Sequence, residues 1–149
     1  MSSQTMMQRD RASTGLGIEV ITDEAGYAVV RMPVRDDMLN GFDIIHGGLV
    51  FALADTAFAI ACNEDDDVTV AAGADITFLK STTAGSVLTA TARRVVRRGR
   101  TGVYDVSVVD ETGDAVAEFR GRSVTTRRTA PPTTLTPAPT PSPSPRDRH

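Results

Sequence analysis

The 149 residues are enough for one domain with a useful core, and 40% hydrophobic with 23% charged residues is typical of an ordinary globular protein. A net charge of −3 gives no general electrostatic reason to bind nucleic acid or an anionic membrane, and no apolar run has the length of a membrane span or the form of a signal peptide. We therefore expect a cytoplasmic protein with neither a nucleic-acid nor a membrane partner.

The two ends of the chain differ in composition from its middle. Residues 1–14 are polar and predict a flexible segment, or a short helix at most. Seven of the eight prolines lie between Pro131 and Pro145, interleaved with Thr, Ser and Ala. This composition predicts a disordered Pro-rich tail over residues 129–149, which is either passive or a ligand for a recognition domain. A single folded domain over residues 15–128 remains.

Six strand-like runs flank one apolar segment. The first two, residues 17–21 and 27–34, surround the turn Asp23-Glu24-Ala25-Gly26, which is a hairpin signal. The acidic residues 64–67 follow the apolar segment and predict a solvated turn. The remaining runs are residues 68–79, 87–96, 103–109 and 115–124, and the turn-forming residues 97–100 and 111–114 separate the last three.

The apolar segment predicts a central helix. From Leu49 to Cys62 every residue is apolar except Asp55 and Thr56, so this helix must be enclosed on most sides. An antiparallel sheet of about six strands that curls around one long helix covers this surface in a single layer. The prediction is therefore an α+β protein with the hotdog arrangement. Cys62 has no partner for an intrachain disulfide and is expected to be buried in this helix.

Asp55 is the first candidate for chemistry. Burying an unpaired charge costs several kcal/mol, so a helix that serves only for packing has no use for a carboxylate at its midpoint. On a 3.6-residue period its face is apolar, and desolvation should raise its pKa and make it a better proton acceptor. The residues on this face are Gly48, Phe51, Ala52, Phe58, Ala59 and Cys62. The alternative is a structural carboxylate satisfied by a neighbouring backbone or hydroxyl group.

The start of the helix is the second candidate. At His46-Gly47-Gly48 two glycines give a ligand access to backbone N–H groups without intrahelical partners, and these suit a carbonyl oxygen that gains negative charge. Gly47 and Asp55 are eight residues apart, or about 12 Å along one helix. Both can act on one carbonyl only if they come from two chains, which predicts a site shared between the subunits of a two-fold dimer.

His46 and Asn40 also have ordinary structural explanations, which are the alternatives to a role in catalysis. His46 alone is typical of a helix start, and Asn40 before Gly41 is typical of a plain turn. A metal site is not expected, because the only other histidine is His149 and the consecutive acids 64–67 lack the spacing of a coordination loop.

The motif residues taken together resemble a known family. Asn40, His46-Gly47-Gly48 and the run LADTA at residues 53–57 resemble the PaaI-type branch of the hotdog acyl-CoA thioesterases. The resemblance extends over roughly residues 15–126 and includes ITFLKSTTAGSVLTATA, TGVYDVSVVD and FRGRS. It implies hydrolysis of phenylacetyl-CoA or hydroxyphenylacetyl-CoA in phenylacetate degradation, without a cofactor, since coenzyme A is part of the substrate.

The resemblance also implies roles for individual residues. Asp55 matches the carboxylate that activates water or attacks the thioester, and Gly47 matches the backbone donor that polarises the thioester carbonyl. Asn40 and His46 match the groups that position the thioester and the water. In this family these groups come from two subunits, usually within a dimer of dimers, that is, a homotetramer. Some relatives have a hydroxyl residue where this chain has Ala71, so what orients the water stays open.

Two segments resemble the coenzyme A contacts of the family. The first comprises Phe78, Leu79, Lys80 and Ser81, and the second comprises Arg98 and Arg100 in a turn, where the alternative is that both arginines are merely solvated. Candidates for the acyl pocket are Met38, Leu39, Phe42 and Phe51. The alternatives are a thioesterase for medium-chain or other aromatic acyl groups, a non-catalytic acyl-CoA-binding protein, and a hotdog hydratase or dehydratase. Against the last, those enzymes have a Pro-rich segment around their histidine, and this chain has none around His46.

Overall fold

The computed structural model describes residues 2–126, so the predicted tail over residues 129–149 and His149 lie outside the described residues. Six strands, one long helix and two short helices make up this part of the chain. In order they are α1 (Ser3–Arg9), α2 (Arg11–Gly15), β1 (Glu19–Glu24), β2 (Tyr27–Pro33), a 3-10 turn (Asp36–Met38), α3 (Gly47–Cys62), β3 (Thr69–Phe78), β4 (Val87–Arg98), β5 (Thr101–Val109) and β6 (Ala115–Thr125).

The six strands form one antiparallel sheet in the order β1-β2-β4-β5-β6-β3, and the sheet packs around α3. The predicted α+β hotdog arrangement is therefore confirmed. Alternation along β5 shows how the sheet is oriented: Tyr104 and Val106 are buried against the helix, whereas Asp105 lies on the outer face. Outer-face charges pair across strands, as in the bond from Arg120 Nε to Asp105 Oδ1 at 2.7 Å.

The ends of α3 are fixed by two side chains. His46 Nδ1 accepts a hydrogen bond from Gly48 N–H at 3.1 Å and so caps the first turn. At the other end, Asn63 donates to Ala59 O at 2.8 Å and accepts from Thr69 N–H at 3.0 Å, which joins the end of the helix to the start of β3.

One stripe of α3 is not covered by the sheet. Asp55 lies at its centre, half-buried, between the side of the helix that contacts α2 and the side that contacts β6. The stripe comprises Gly48, Phe51, Ala52, Asp55 and Ala59, and the rest of the helix surface is largely buried. The expectation of a helix enclosed on most sides is met, and the open side is the one that carries the carboxylate.

The sequence predicts a flexible segment, or a short helix at most, over residues 1–14, and the structure has two short helices within residues 2–15. Residues 3–15 form α1 and α2, which pack on α3. Helices of seven and five residues are too short to show an apolar period, and contacts distant in sequence hold them. Ser3 donates to Asp23 at 2.6 Å, and the Ser13 and Thr56 hydroxyls lie 3.0 Å apart.

The acidic turn after α3 is also more than a solvated turn. Glu64 accepts two hydrogen bonds from Arg94, each at 2.6 Å, and one from the Tyr104 hydroxyl at 3.2 Å, while Asp65 pairs with Arg97 at 3.4 Å. This cluster closes the sheet at the C-terminal end of the helix. The sequence did not reveal it because the partners lie thirty to forty residues away.

Cys62 is buried, as predicted, and burial raises the pKa of its thiol to about 12. In the part of the chain that the structure covers, no helix combines the length and the apolarity of a membrane span.

Candidate active site

A cavity of about 300 Å³ lies at the N-terminal end of α3, between the loop before the helix and the segment after β3. Six of the ten residues that the sequence assigns to the site line it, and four apolar residues complete the wall. The six are Asn40, Gly47, Phe78, Leu79, Lys80 and Ser81, and the four are Ile44, Ile45, Val50 and Val116.

Gly47 supplies the one free amide of the first helical turn. Gly48 N–H is bound by His46 Nδ1, and the N–H groups of Leu49 and Val50 donate to His46 O at 2.9 and 3.4 Å. Within residues 2–126, Gly47 N–H has no acceptor. A donor at a helix start, backed by the helix dipole, suits an oxygen that gains negative charge.

Phe78 explains why residue 47 is a glycine. A Cβ on Gly47 would lie 3.0 Å from the Cζ atom of the Phe78 ring, which is closer than ordinary van der Waals contact. The ring therefore rests directly on the helix start and forms one wall of the cavity.

In the side chains of Asn40 and His46, one hydrogen-bonding atom is bound within the chain and a second is free. Asn40 Oδ1 accepts from Phe42 N–H at 2.8 Å, which leaves the amide Nδ2 as a donor at the cavity. His46 Nδ1 is an acceptor, so in the neutral ring the proton is on Nε2, which is exposed and able to donate. Both residues can thus orient an oxygen of a bound molecule.

Asp55 lies two turns further along α3 and does not line this cavity. Within the described chain its carboxylate has neither a hydrogen-bond partner nor an ion pair. Burial raises its pKa above the ordinary value of 3.8, and the negative charge of Asp10 raises it further. The predicted direction of this shift is confirmed. An unpaired carboxylate with a raised pKa is suited to accept a proton or to attack a carbonyl.

Lys80 is engaged within its own chain. Its Nζ atom donates to Asp110 Oδ2 at 2.6 Å and to Asp114 Oδ2 at 2.9 Å. These carboxylates raise the pKa of Lys80, and the Lys80 ammonium lowers the pKa of Asp110. The lysine therefore ties the segment after β3 to the β5–β6 turn, and its charge is largely neutralised at the cavity wall.

Arg98 and Arg100 lie at the other end of the sheet. Phe78 pairs with Ala117 near the start of β6, whereas Thr101, which follows Arg100, pairs with Val124 near its end. Seven residues of strand separate these two positions, or about 23 Å. Neither guanidinium group has a hydrogen-bond or ion-pair partner among residues 2–126. The structure thus does not bring them to the cavity of their own chain.

Comparison with known proteins decides the family. The model of the thioesterase superfamily matches residues 42–117. The Escherichia coli acyl-coenzyme A thioesterase PaaI is 44% identical over 82% of this chain and 87% of its own length. The structure of E. coli PaaI, described as from the phenylacetic acid degradation operon, superposes with a TM-score of 0.82 at 43% identity, over 84% of this chain and 91% of the other. The chain belongs to the PaaI-type thioesterases of this superfamily.

The chain is also similar to a protein whose structure contains a coenzyme A thioester. A Streptococcus mutans protein whose structure was solved with acetyl-CoA bound is 28% identical, with a TM-score of 0.70, over 73% of the thioesterase chain and 88% of its own. Enzymes of this family in general need no cofactor, and coenzyme A is part of the substrate.

The candidates for the acyl pocket of the thioesterase occupy different environments. Met38 is buried in the core, with 1% of its surface exposed. Phe42 is 85% exposed on the loop that Asn40 braces, and Phe51 packs edge-on against Phe119 at 5.3 Å between ring centres. Leu39 is half-buried and pairs with Ile45 through a β-bridge.

One feature near Asp55, the approach of Asp10 and Ser13, was not anticipated from the sequence. Asp10 and Ser13 approach the helix turn that carries Asp55, and the only local signal was the Asp-x-x-Ser spacing, which is typical of a helix N-cap. Ala71, the position at which the sequence left open what orients the water, is exposed on β3 at a register shift. The hydroxyl next to Asp55 in sequence, Thr56, is bound to Ala52 O at 2.8 Å.

Proposed function

We propose that the thioesterase hydrolyses aryl-acetyl-CoA thioesters, phenylacetyl-CoA or hydroxyphenylacetyl-CoA, to the free acid and coenzyme A. The observation that carries this proposal is the free Gly47 N–H at the cavity, in a chain whose Asp55 carboxylate is half-buried and unpaired within residues 2–126. The aryl-acetyl preference is supported by the similarity to E. coli PaaI from the phenylacetic acid degradation operon.

The reaction follows from these two groups. The thioester carbonyl oxygen accepts the Gly47 N–H bond, and this donor becomes stronger as negative charge develops on the oxygen. Asn40 and His46 orient the thioester and the attacking water. Asp55 then acts in one of two ways: it takes a proton from water as the water attacks the carbonyl carbon, or it attacks that carbon itself to give an anhydride that water opens. In both cases the C–S bond breaks and the coenzyme A thiolate leaves.

The site in this proposal is shared between two subunits of a homodimer. Gly47 and Asp55 of one helix are about 12 Å apart, too far to act on one carbonyl. An edge for a second chain is present: β3 is one of the two edge strands of the sheet, and apolar Val70, Phe78 and Leu79 are exposed on and beside it. An unpaired edge strand is a template for pairing with another chain. Pairing of two such dimers into a tetramer stays a prediction.

The coenzyme A portion would lie between subunits. Phe78, Leu79 and Ser81 present apolar and hydroxyl groups at the cavity, while Lys80 contributes its aliphatic stem because its charge is paired. Arg98 and Arg100 can serve the same substrate only from a neighbouring subunit, where they would meet phosphate groups. The S. mutans protein with bound acetyl-CoA supports a coenzyme A site on this fold.

Thiol release tests the proposal directly. The native protein is compared with Asp55→Asn and Asp55→Ala on phenylacetyl-CoA, hydroxyphenylacetyl-CoA and medium-chain acyl-CoAs. We expect the aryl-acetyl esters to give the highest kcat/KM, and both variants to lose about 10²- to 10⁴-fold in kcat.

Asp67→Asn, an exposed carboxylate beyond the helix, is the matched control and should remain fully active. Full activity in both Asp55 variants would refute the mechanism. A higher kcat/KM on medium-chain esters would refute the aryl-acetyl preference and leave the mechanism standing.

A further inference from the structure

The junction of α1 and α2 is bound to the turn of α3 that carries Asp55. Asp10 caps α2: its Oδ1 atom accepts from Ser13 N–H at 2.9 Å, and its Oδ2 atom accepts from the Ser13 hydroxyl at 2.6 Å. Ser13 Oγ lies 3.0 Å from Thr56 Oγ1, and both hydroxyl residues are buried. Thr56 directly follows Asp55, so two side chains, those of Ser13 and Thr56, connect Asp10 to the helix turn of the proposed catalytic carboxylate.

The hydroxyl protons give this connection a direction. Each hydroxyl has one proton, and an ionised carboxylate only accepts. The Ser13 proton therefore goes to Asp10, and the single Thr56 proton is shared between Ala52 O at 2.8 Å and Ser13 Oγ at 3.0 Å. A chain that ends on a charge is the stronger arrangement, because charge-assisted hydrogen bonds are roughly twice as strong as neutral ones.

Asp10 also acts on Asp55 through its charge. After burial, the negative charge of Asp10 is the second cause of the raised pKa of Asp55. Cys62, on the same side of α3, stays neutral because burial raises its own pKa to about 12. Arg9 and Arg11 flank Asp10 in sequence, but neither contributes to the shift of Asp55.

The sheet strands that pack on α3 add no opposing charge. Their inward residues there are apolar, as at Val30, Ala90 and Val106. Charged residues of β3, β5 and β6 pair on the outer face, where Asp75 meets Arg122 at 2.7 Å and Asp105 meets Arg120. Among the groups of residues 2–126, Asp10 is thus the one whose charge acts on Asp55.

We propose that Asp10 is a positioning residue for thioester hydrolysis: through Ser13 and Thr56 it fixes the helix turn that carries Asp55, and its carboxylate keeps a second negative charge beside the Asp55 carboxylate. This inference rests on the catalytic role proposed above for Asp55. The N-terminal helices, which pack beside the open stripe of α3, would thus also contribute to catalysis.

The test separates the charge from the hydrogen bonds. Asp10→Asn and Asp10→Ser both keep a side chain that can cap α2 but remove the charge. With the charge gone, the pKa of Asp55 falls, so the acid limb of the profile of kcat/KM against pH moves to lower pH. The plateau kcat also falls, because Asp55 becomes a weaker base, while KM is unchanged. Two neutral caps are used so that the result does not depend on the folding of one variant.

Ser13→Ala keeps the negative charge of Asp10 and removes the hydroxyl that connects Asp10 to Thr56. It is expected to lower kcat by about two- to tenfold, the equivalent of one hydrogen bond, without moving the acid limb. Asp23→Asn is the matched control, because Asp23 also accepts a serine hydroxyl bond from the N-terminal helices, at 2.6 Å from Ser3, yet has no effect on Asp55. Asp23→Asn should leave both kcat and the acid limb of the pH profile unchanged.

Two results would overturn the inference: pH profiles of both Asp10 variants that coincide with that of the native protein, or an equal shift in Asp23→Asn. Failure of the proposed function is a different observation, namely full activity in Asp55→Asn. The two failures are therefore distinguishable in the same set of assays.

Discussion

The Asp55 carboxylate, proposed above to be catalytic, has a cost to folding. In the folded chain its carboxylate is half-buried beside Asp10, and its pKa is raised above the value of 3.8 expected in the unfolded chain. The unfolded state therefore ionises at lower pH than the folded state. As the pH rises from 3.8 through the raised pKa, the free energy of unfolding falls, and the loss is complete above the raised value. At neutral pH the chain keeps a charge that weakens its fold.

Replacing this charge with a neutral amide of the same shape should stabilise the protein. We expect Asp55→Asn to raise the Tm at pH 7, and the gain to shrink as the pH is lowered toward the ordinary value of 3.8, because the native carboxyl takes up its proton at higher pH than a carboxyl in the unfolded chain. Thermal unfolding of both proteins between these pH values measures the effect, with Asp67→Asn as the exposed control. A gain that stays constant with pH would mean that the charge of Asp55 is not its source.

At the scale of elements, the close packing of α3 on the sheet depends on a glycine in β6, which has no side chain to separate them. Gly121 of β6 faces Phe58 of the helix, and a Cβ at this position would lie 2.7 to 2.8 Å from three carbons of the ring. Phe58 is buried between Tyr104 and Phe119, with ring centres at 5.5 and 5.8 Å. The ring therefore has little room to move away, and the helix lies as close to β6 as a glycine allows.

Gly121→Ala should force these two elements apart. We expect a loss of about 1–3 kcal/mol in the free energy of unfolding, the usual cost of overpacking a well-filled core. The urea midpoint measures it. Gly41→Ala is the control, since nothing lies within 4 Å of a Cβ there, and it should change the midpoint little. Equal midpoints for the two variants would show that the helix adjusts without cost.

The elements that the sequence predicted are those whose pattern is local. The central helix and all six strands are recognisable because their burial repeats along a stretch of chain, as in the alternation of β5, and their order left one economical sheet. For α1 and α2 the sequence allowed only a short helix at most, because five to seven residues show no period and because their partners, Asp23 and Thr56, are distant in sequence. The pairing of Lys80 with Asp110 was hidden for the same reason, thirty residues apart.

At the scale of the whole molecule, the site residues divide into groups that one chain keeps apart. Asn40, His46 and Gly47 lie at the start of α3, Asp55 lies about 12 Å further along the helix, and Arg98 and Arg100 lie at the far end of the sheet. The spacing within the helix was readable from the sequence. The position of the arginines was not, because it depends on which strands are neighbours.

This division predicts complementation between two inactive proteins. We expect Asp55→Asn and the double variant Asn40→Ala with His46→Ala to be inactive alone, but to regain about a quarter of the native activity when equal amounts are unfolded and refolded together, because half of the random dimers carry one intact site. The control replaces the double variant with a triple variant that also carries Asp55→Asn, so that no dimer has an intact site and activity stays absent. If the first mixture also stays inactive while mixed dimers form, each site belongs to a single chain, and the edge of β3 is not where catalysis is assembled.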